Sequence, residues 1–395
     1  MTLAELQEQR RLRAEKQRRE ELLREIAKGP IDLPFLLLVC LLTGIGLVML
    51  FSASFPRAYY GGLSPTHYLI RQGGFAVMGF CAMLFVAKFN YRRFRAFSKA
   101  LLLVSIVLLV LVIIPGVGIT RNNATRWLGL GETLTFQPSE IAKFAVVLYF
   151  ADTISQKKEK MRTIRYGILP YVLVLGVIAA LMMKEPHLSG TILILGVGAI
   201  LMFAGGIRWI WVIAIGGAAV VAAYLLITGV IDYGHSRIAM WFDPWIDAQG
   251  EGYQMVQSLI AIGSGGLLGT GLGKSRQKFM YLPEEHNDMI FSIVCEELGL
   301  VGACIILLLF AALILRGYWI ALQARDRFGS LLVVGCTSLV AMQVFLNVGV
   351  VTGLLPATGI SLPFFSYGGT ALIIQLAEVG VMLSISRQIP APKQD

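Results

Sequence analysis

The chain has 395 residues, of which 56% are hydrophobic and only 15% charged, and its mean hydropathy is +0.72. That composition excludes a soluble globular domain. The net charge of +10 does not form a nucleic-acid patch, because the basic residues fall in short clusters between apolar runs.

The residues before position 30 interleave Glu with Lys and Arg, as in Glu20 and Arg24 four apart. This spacing predicts a solvated helix with ion pairs along its surface, or one that meets a lipid surface or a partner. Gly29-Pro30 ends it. No short apolar region with a small-residue cleavage site follows, so no cleavable signal is expected.

Apolar runs of roughly 20 residues then recur, each long enough to cross a hydrocarbon core about 30 Å thick. Ten are read: 32–53, 69–87, 100–117, 137–155, 167–183, 189–206, 209–228, 288–315, 328–353 and 367–386. Backbone in lipid must satisfy its own hydrogen bonds, and runs of this length predict helices rather than barrel strands. The expected fold is all-α and polytopic, with about ten transmembrane helices over 31–387 and a tail at 388–395. Basic residues recur on one side, as at Arg92, Arg93, Arg95, Lys157, Lys158, Arg208, Arg316 and Arg387. The positive-inside pattern puts that side and both termini in the cytoplasm. The five cysteines all fall within apolar runs without metal spacing and read as packing residues.

The outward loops carry the chemistry. One holds Arg126-Trp127 and then Gln137-Pro-Ser-Glu140-Ile-Ala-Lys143. Pro138 and Glu140 suit a first helical turn. Glu140 and Lys143 share a face, either as a structural ion pair or as part of a site. Arg126 and Trp127 also suit an interfacial anchor. Between spans five and six lies Lys184-Glu185-Pro186-His187, charges that either punctuate a helix end or mark a functional break.

The large outward loop 229–287, between spans seven and eight, contains Arg237, an apolar stretch 254–262 too short to span, and a run of glycines up to Lys274. Gly273-Lys274-Ser275 is not a phosphate loop, since Leu268 stands where that motif's first glycine belongs and no strand precedes it. The loop ends in Lys274-Ser-Arg276-Gln-Lys278 and Tyr281-Leu-Pro-Glu284-Glu-His286-Asn-Asp288, at the mouth of span eight. Asn287 and Asp288 suit helix capping, and Asp288 equally suits a site facing a lipid-borne headgroup. A last outward loop, Gly353 to Thr370, has no charge and includes Pro363-Phe-Phe-Ser366-Tyr367-Gly368-Gly369. It reads as a packed loop or as a groove, because broken helix at membrane depth must be buried or line a cavity.

These motifs together resemble the SEDS family of shape, elongation, division and sporulation proteins, the FtsW/RodA/SpoVE group. The residues that carry the resemblance are Arg126-Trp127 with Gln137-Pro-Ser-Glu140, Glu185-Pro186, Asp243-Pro244 with Gly252-Tyr253-Gln254, Tyr281 to Asp288 with Glu296-Glu297, and Pro363 to Gly369. The loop 271–284 looks closer to the FtsW/SpoVE division and sporulation branch than to RodA. The resemblance implies a peptidoglycan glycosyltransferase of the bacterial cytoplasmic (inner) membrane that polymerises lipid II on the outer face. It implies Asp288 as the catalytic residue, and as partners lipid II, the nascent glycan strand, a class B penicillin-binding protein and other divisome or elongasome membrane proteins, with no nucleic acid. One departure is His187, where the family usually has Asp after Glu-Pro.

The residues permit that chemistry. Glu296 lies eight residues beyond Asp288, about 12 Å along a helix, too far for the paired carboxyls of a retaining glycosidase, about 5–5.5 Å apart. Transfer from a pyrophosphate needs no second carboxyl, since the leaving group is already a stable anion. Asp288 as general base toward a sugar hydroxyl suffices. Charge on the pyrophosphate calls for cations, with Arg126, Lys143, Arg237, Lys274, Arg276 and Lys278 as candidates, or for a bound divalent cation, magnesium or manganese. Trp127, Glu140, Glu185, Glu284, His286, Ser366, Tyr367 and Gly368 complete the expected substrate-binding set. A lipid II flippase and a scaffold for the cross-linking enzyme are the alternatives; Glu378, inside span ten, would suit transport or a buried structural pair.

Overall fold

The structure is a computed structural model that describes residues 29–121, 124–130, 134–211, 213, 214, 217 and 240–389. The expected helix before residue 30, most of span seven, Arg237 and the end of the tail lie outside the described residues. The described helices are α1 (Leu33–Tyr60), α2 (His67–Lys88), α3 (Ser98–Ile113), α4 (Pro138–Lys157), α5 (Leu169–Lys184), α6 (Leu188–Ala204), α7 (Tyr253–Gly265), α8 (Ile290–Gln323), α9 (Arg327–Val351) and α10 (Gly369–Ser386). Among the described residues, seven helical segments are long and apolar enough to cross a membrane, and α6 is a shorter apolar helix. All of the expected spans except the seventh therefore coincide with a described helix, and the chain is a multi-pass helical membrane protein.

Local chemistry sets the ends. Asp32 caps α1 by accepting from the Phe35 amide at 3.0 Å, with Pro34 in the first turn. Asp326 caps α9 through the Gly329 amide at 2.8 Å, and it also takes the Tyr91 hydroxyl and Arg92. Pro138 opens α4, and Glu140 in its first turn pairs with Lys143 at 2.7 Å. At the other end of the chain, Arg387 donates to the Gly29 carbonyl at 3.0 Å, so both ends of the described chain lie on one side.

Two features depart from the expected pattern. The loop after α3 is a three-stranded antiparallel sheet, β1 (Ile119–Arg121), β2 (Ala124–Leu130) and β3 (Leu134–Phe136), with Ile119 opposite Trp127 and Leu128 opposite Phe136. Short glycine-broken strands are easily missed beside long apolar runs. Second, α8 is two helices joined at Gly299, whose φ of 66° and ψ of −171° only glycine adopts readily. A β-carbon there would stand 2.2 Å from the Gly269 nitrogen.

The short helix α7 packs against the outer part of α8, and the 266–278 loop follows it down to the break. Glu296 and Glu297 hold that loop. Glu296 accepts from the Ser275 hydroxyl at 2.5 Å and the Arg276 amide at 2.8 Å, and Glu297 accepts from Ser52 at 2.7 Å and Lys278 at 2.8 Å. The Lys278–Glu297 pair is almost wholly buried. Lys278→Met should therefore destabilise the protein by about 3 kcal/mol or more, because it strands a buried carboxylate; thermal unfolding in detergent measures it.

Candidate active site

Asp288 does not cap α8. The cap position is Met289, with no side-chain cap bond, and Asp288 instead faces a cavity of about 920 Å³. It lies deep below the molecular surface yet keeps part of its own surface open to that space.

Its backbone is held by three successive carbonyls. His286 O accepts from the Tyr367 amide at 2.9 Å, Asn287 O from the Ser366 hydroxyl at 2.8 Å, and Asp288 O from Asn347 Nδ2 at 2.7 Å. Asn347 also donates to the Ile360 carbonyl at 2.6 Å, and Ser366 Oγ accepts from the Leu362 amide at 2.7 Å. Gln72 in α2 bridges the Ser366 carbonyl and the Gly368 amide, both at 3.3 Å. The uncharged last loop is thus a cradle for the acidic one: it is both packed and cavity-lining.

Behind this backbone, Arg57 of α1 forms a two-point ion pair with buried Glu285, at 2.7 and 2.8 Å. Burial acts to raise the Glu285 carboxyl, but the hydrogen bond from Arg57 and the neighbouring His286 outweigh it and hold the group at about 2. The His286 ring sits among Tyr68 and Tyr367, with ring centres 5.1 and 5.8 Å away.

Asp288 is tuned the other way. Burial first, and then the nearby Glu284 charge, push its carboxyl up to about 6, against the opposing pull of Arg126 and His286. A carboxyl in that range is ionised at neutral pH yet basic enough to accept a proton. Gly359, with φ of 66°, comes close to it: a β-carbon there would stand 3.0 Å from Asp288 Oδ2. Gly359→Ala should strain this left-handed position and displace the carboxylate, cutting any Asp288-dependent rate by about 10²-fold. An unchanged Tm alongside an unchanged rate would show that the contact is idle.

The expected site residues divide. Arg126, Trp127, Glu140, Lys143, Glu284, His286, Asp288, Ser366, Tyr367 and Gly368 all line the one cavity. Arg126 donates to the carbonyls of Glu185, at 3.3 Å, and of Pro186, which carries the sheet's second strand onto the α5–α6 turn. Glu185 does not reach the cavity. It is 1% exposed, its carboxyl oxygens accept no hydrogen bond from the described residues, and burial pushes it up to about 8, so it is neutral at pH 7. His187 lines the cavity as a neutral imidazole, pushed down to about 3 by burial and by the charges of Arg126 and Lys143.

Lys274, Arg276 and Lys278 do not line the cavity, so the structure does not bring these expected cations to it. Lys278 is committed to Glu297, and Lys274 and Arg276 are exposed on the loop below. Their short spacing from Asp288 misled, because at Ser275 and Lys278 the chain is still tied to Glu296 and Glu297 and leaves them only afterwards.

Sequence reading missed Arg57, His67, Tyr68, Arg71, Gln72 and Asn347. His67, Tyr68 and Arg71 line the cavity. Polar Arg71-Gln72 just inside an apolar run, and Gln343 with Asn347 four apart in another, were the available signals. Among the described residues, no three His, Cys, Asp or Glu side chains gather to hold a metal ion. The described side chains therefore do not by themselves fit a resident divalent cation.

A family profile described as "Cell cycle protein", covering FtsW, RodA and SpoVE, matches residues 33–390. A probable peptidoglycan glycosyltransferase FtsW of Geobacter sulfurreducens is 42% identical over 359 residues, 91% of this chain and 95% of that one. Stage V sporulation protein E of Bacillus subtilis is 42% identical over 356 residues, 90% and 97% of the two chains. Among solved structures, the rod shape determining protein RodA of Thermus thermophilus superposes with a TM-score of 0.67 at 27% identity, covering 93% of this chain and 99% of that one. A chain from a structure described as the coordination of polymerization and crosslinking by a peptidoglycan synthase complex superposes at 0.76 and 26% identity, with the same coverage.

Proposed function

Because the chain belongs to the FtsW/RodA/SpoVE family, we propose that it is a peptidoglycan glycosyltransferase that joins lipid II into glycan strands at the outer face of the bacterial inner membrane. The observation that carries the reading is Asp288, a carboxylate held by its backbone, raised to about 6 and open to a cavity large enough for a sugar-sized ligand.

In this reading Asp288 removes the proton from the acceptor sugar's hydroxyl as that oxygen attacks the anomeric carbon of the lipid-linked chain. The anomeric bond to the pyrophosphate breaks with inversion, and the undecaprenyl pyrophosphate leaves as an anion. Arg126 and Arg71 on the cavity wall, and Lys143 beside Glu140 at its floor, offset charge on the pyrophosphate. Trp127, Tyr68 and Tyr367 supply flat apolar faces for the sugars. The partner is a class B penicillin-binding protein that cross-links the strands; the likeness to a chain of a peptidoglycan synthase complex supports it.

The test is polymer formation from labelled lipid II by the purified chain with such a partner, with lipid II supplied on the outer face. Long glycan made by the wild type and not by Asp288→Asn supports the reading. Equal polymer from both removes Asp288 from the chemistry, and lipid II movement without polymer makes the protein a transporter.

A further inference from the structure

We propose that residues 266–281 form a collar at the outer boundary of the membrane, in which Lys274 and Arg276 bind anionic phospholipid headgroups while Leu267, Leu268 and Leu272 sit among the acyl chains. The argument starts from two ties between antiparallel helices. At one end Asp32 pairs with Arg316 at 2.8 Å, and at the other Ser52 donates to Glu297 at 2.7 Å. From Asp32 to Ser52, along α1, a helix rises about 30 Å. That is the thickness of a hydrocarbon core. Between the ties, α8 presents exposed Leu300, Val301, Ile305 and Leu308. The Ser52–Glu297 level therefore marks the outer edge of the slab.

The loop is clasped at that level and dips beneath it. The amides of Thr270 and Gly271 donate to the carbonyls of Glu296 and Glu297 at 2.9 and 3.0 Å. Deeper, just past the Gly299 break, the amides of Leu300 and Val301 donate to the carbonyls of Gly266 and Leu267 at 2.9 and 3.1 Å. These bonds satisfy irregular backbone at membrane depth, which lipid requires. At the deepest point Leu267 and Leu268 are 68% and 81% exposed. Lys274 and Arg276 are exposed where the chain climbs back, and among the described residues neither is ion-paired with an acid. Apolar side chains below and unpaired cations above match the layering of a leaflet, and the positive charge selects anionic headgroups. The collar also explains why these two cations stand apart from the cavity.

The experiment uses the full chain in vesicles of phosphatidylcholine alone or mixed with phosphatidylglycerol. The added indole fluorescence of Leu268→Trp, read against wild type, should be quenched by lipids spin-labelled on the acyl chain near the headgroup and spared by aqueous iodide. Native mass spectrometry of the Lys274→Gln/Arg276→Gln double variant should show retention of phosphatidylglycerol roughly tenfold weaker or more, with phosphatidylcholine unchanged. Both positions are exposed, so folding is expected to survive; an unchanged Tm checks this. Iodide quenching of the indole, or equal retention of phosphatidylglycerol by the double variant, overturns the proposal. Protection from iodide that arises only when a cross-linking partner is added makes the face a protein interface and overturns it too.

Discussion

Asp288→Asn should lower lipid II polymerisation by about 10²–10⁴-fold, the usual contribution of a positioned general base, while the protein becomes more stable. The two effects share one cause. Burial raises the Asp288 carboxyl to about 6 from an ordinary value near 3.8, so between those values the folded chain binds a proton that the unfolded chain does not. Stability therefore falls as pH rises from about 4 to about 6, by up to about 2–3 kcal/mol at pH 7. Asn removes that cost together with the proposed base. Wild-type rate should climb as pH rises through about 6 and level off above it, since only the ionised carboxylate accepts a proton. Polymerisation assays across pH 5–8, paired with thermal unfolding of both proteins, measure this. A flat rate profile across pH 6 would sink the assignment.

Arg57→Ala should destabilise the fold by about 3 kcal/mol, toward the low end for a broken buried pair because Arg57 is 31% exposed. Glu285 is 0% exposed, so the substitution leaves its charge without its main partner. Removing both partners, in Arg57→Ala/Glu285→Ala, should cost much less than the two single changes added together, as a double-mutant cycle would report. Glu285 is held at about 2, below its ordinary 4.5. Its contribution is complete above about 4.5 and is lost as pH falls through about 2. The wild-type advantage over the double variant should therefore shrink on acidification across that window. The pair lies directly behind His286, so Arg57→Ala should slow polymerisation at temperatures where it remains folded.

The membrane architecture was legible because span length and basic loops obey simple physics: a run such as 32–53 can be little else. The Gln-Pro-Ser-Glu helix start and the Glu140–Lys143 pair were legible for the same reason, as local signals three residues apart. The cluster around Asp288 was partly legible, since motifs far apart in sequence share one cavity only once the fold brings them together. Arg57–Glu285 spans 228 positions and Ser52–Glu297 spans 245, and no periodicity reports such pairings. Lys278 shows the converse. It lies ten positions from Asp288 and is bonded to Glu297, because nearness along a looping chain is not nearness in space.

The three consecutive carbonyls at 286–288 are gripped by Tyr367, Ser366 and Asn347 much as rungs join neighbouring strands. A carboxylate mounted on so stiff a bracket, if it is the base proposed for it, stays put from one round to the next. A synthesis that adds many units at such a fixed point has to move the sugar chain past it, so its stepping would belong to the glycan rather than to Asp288.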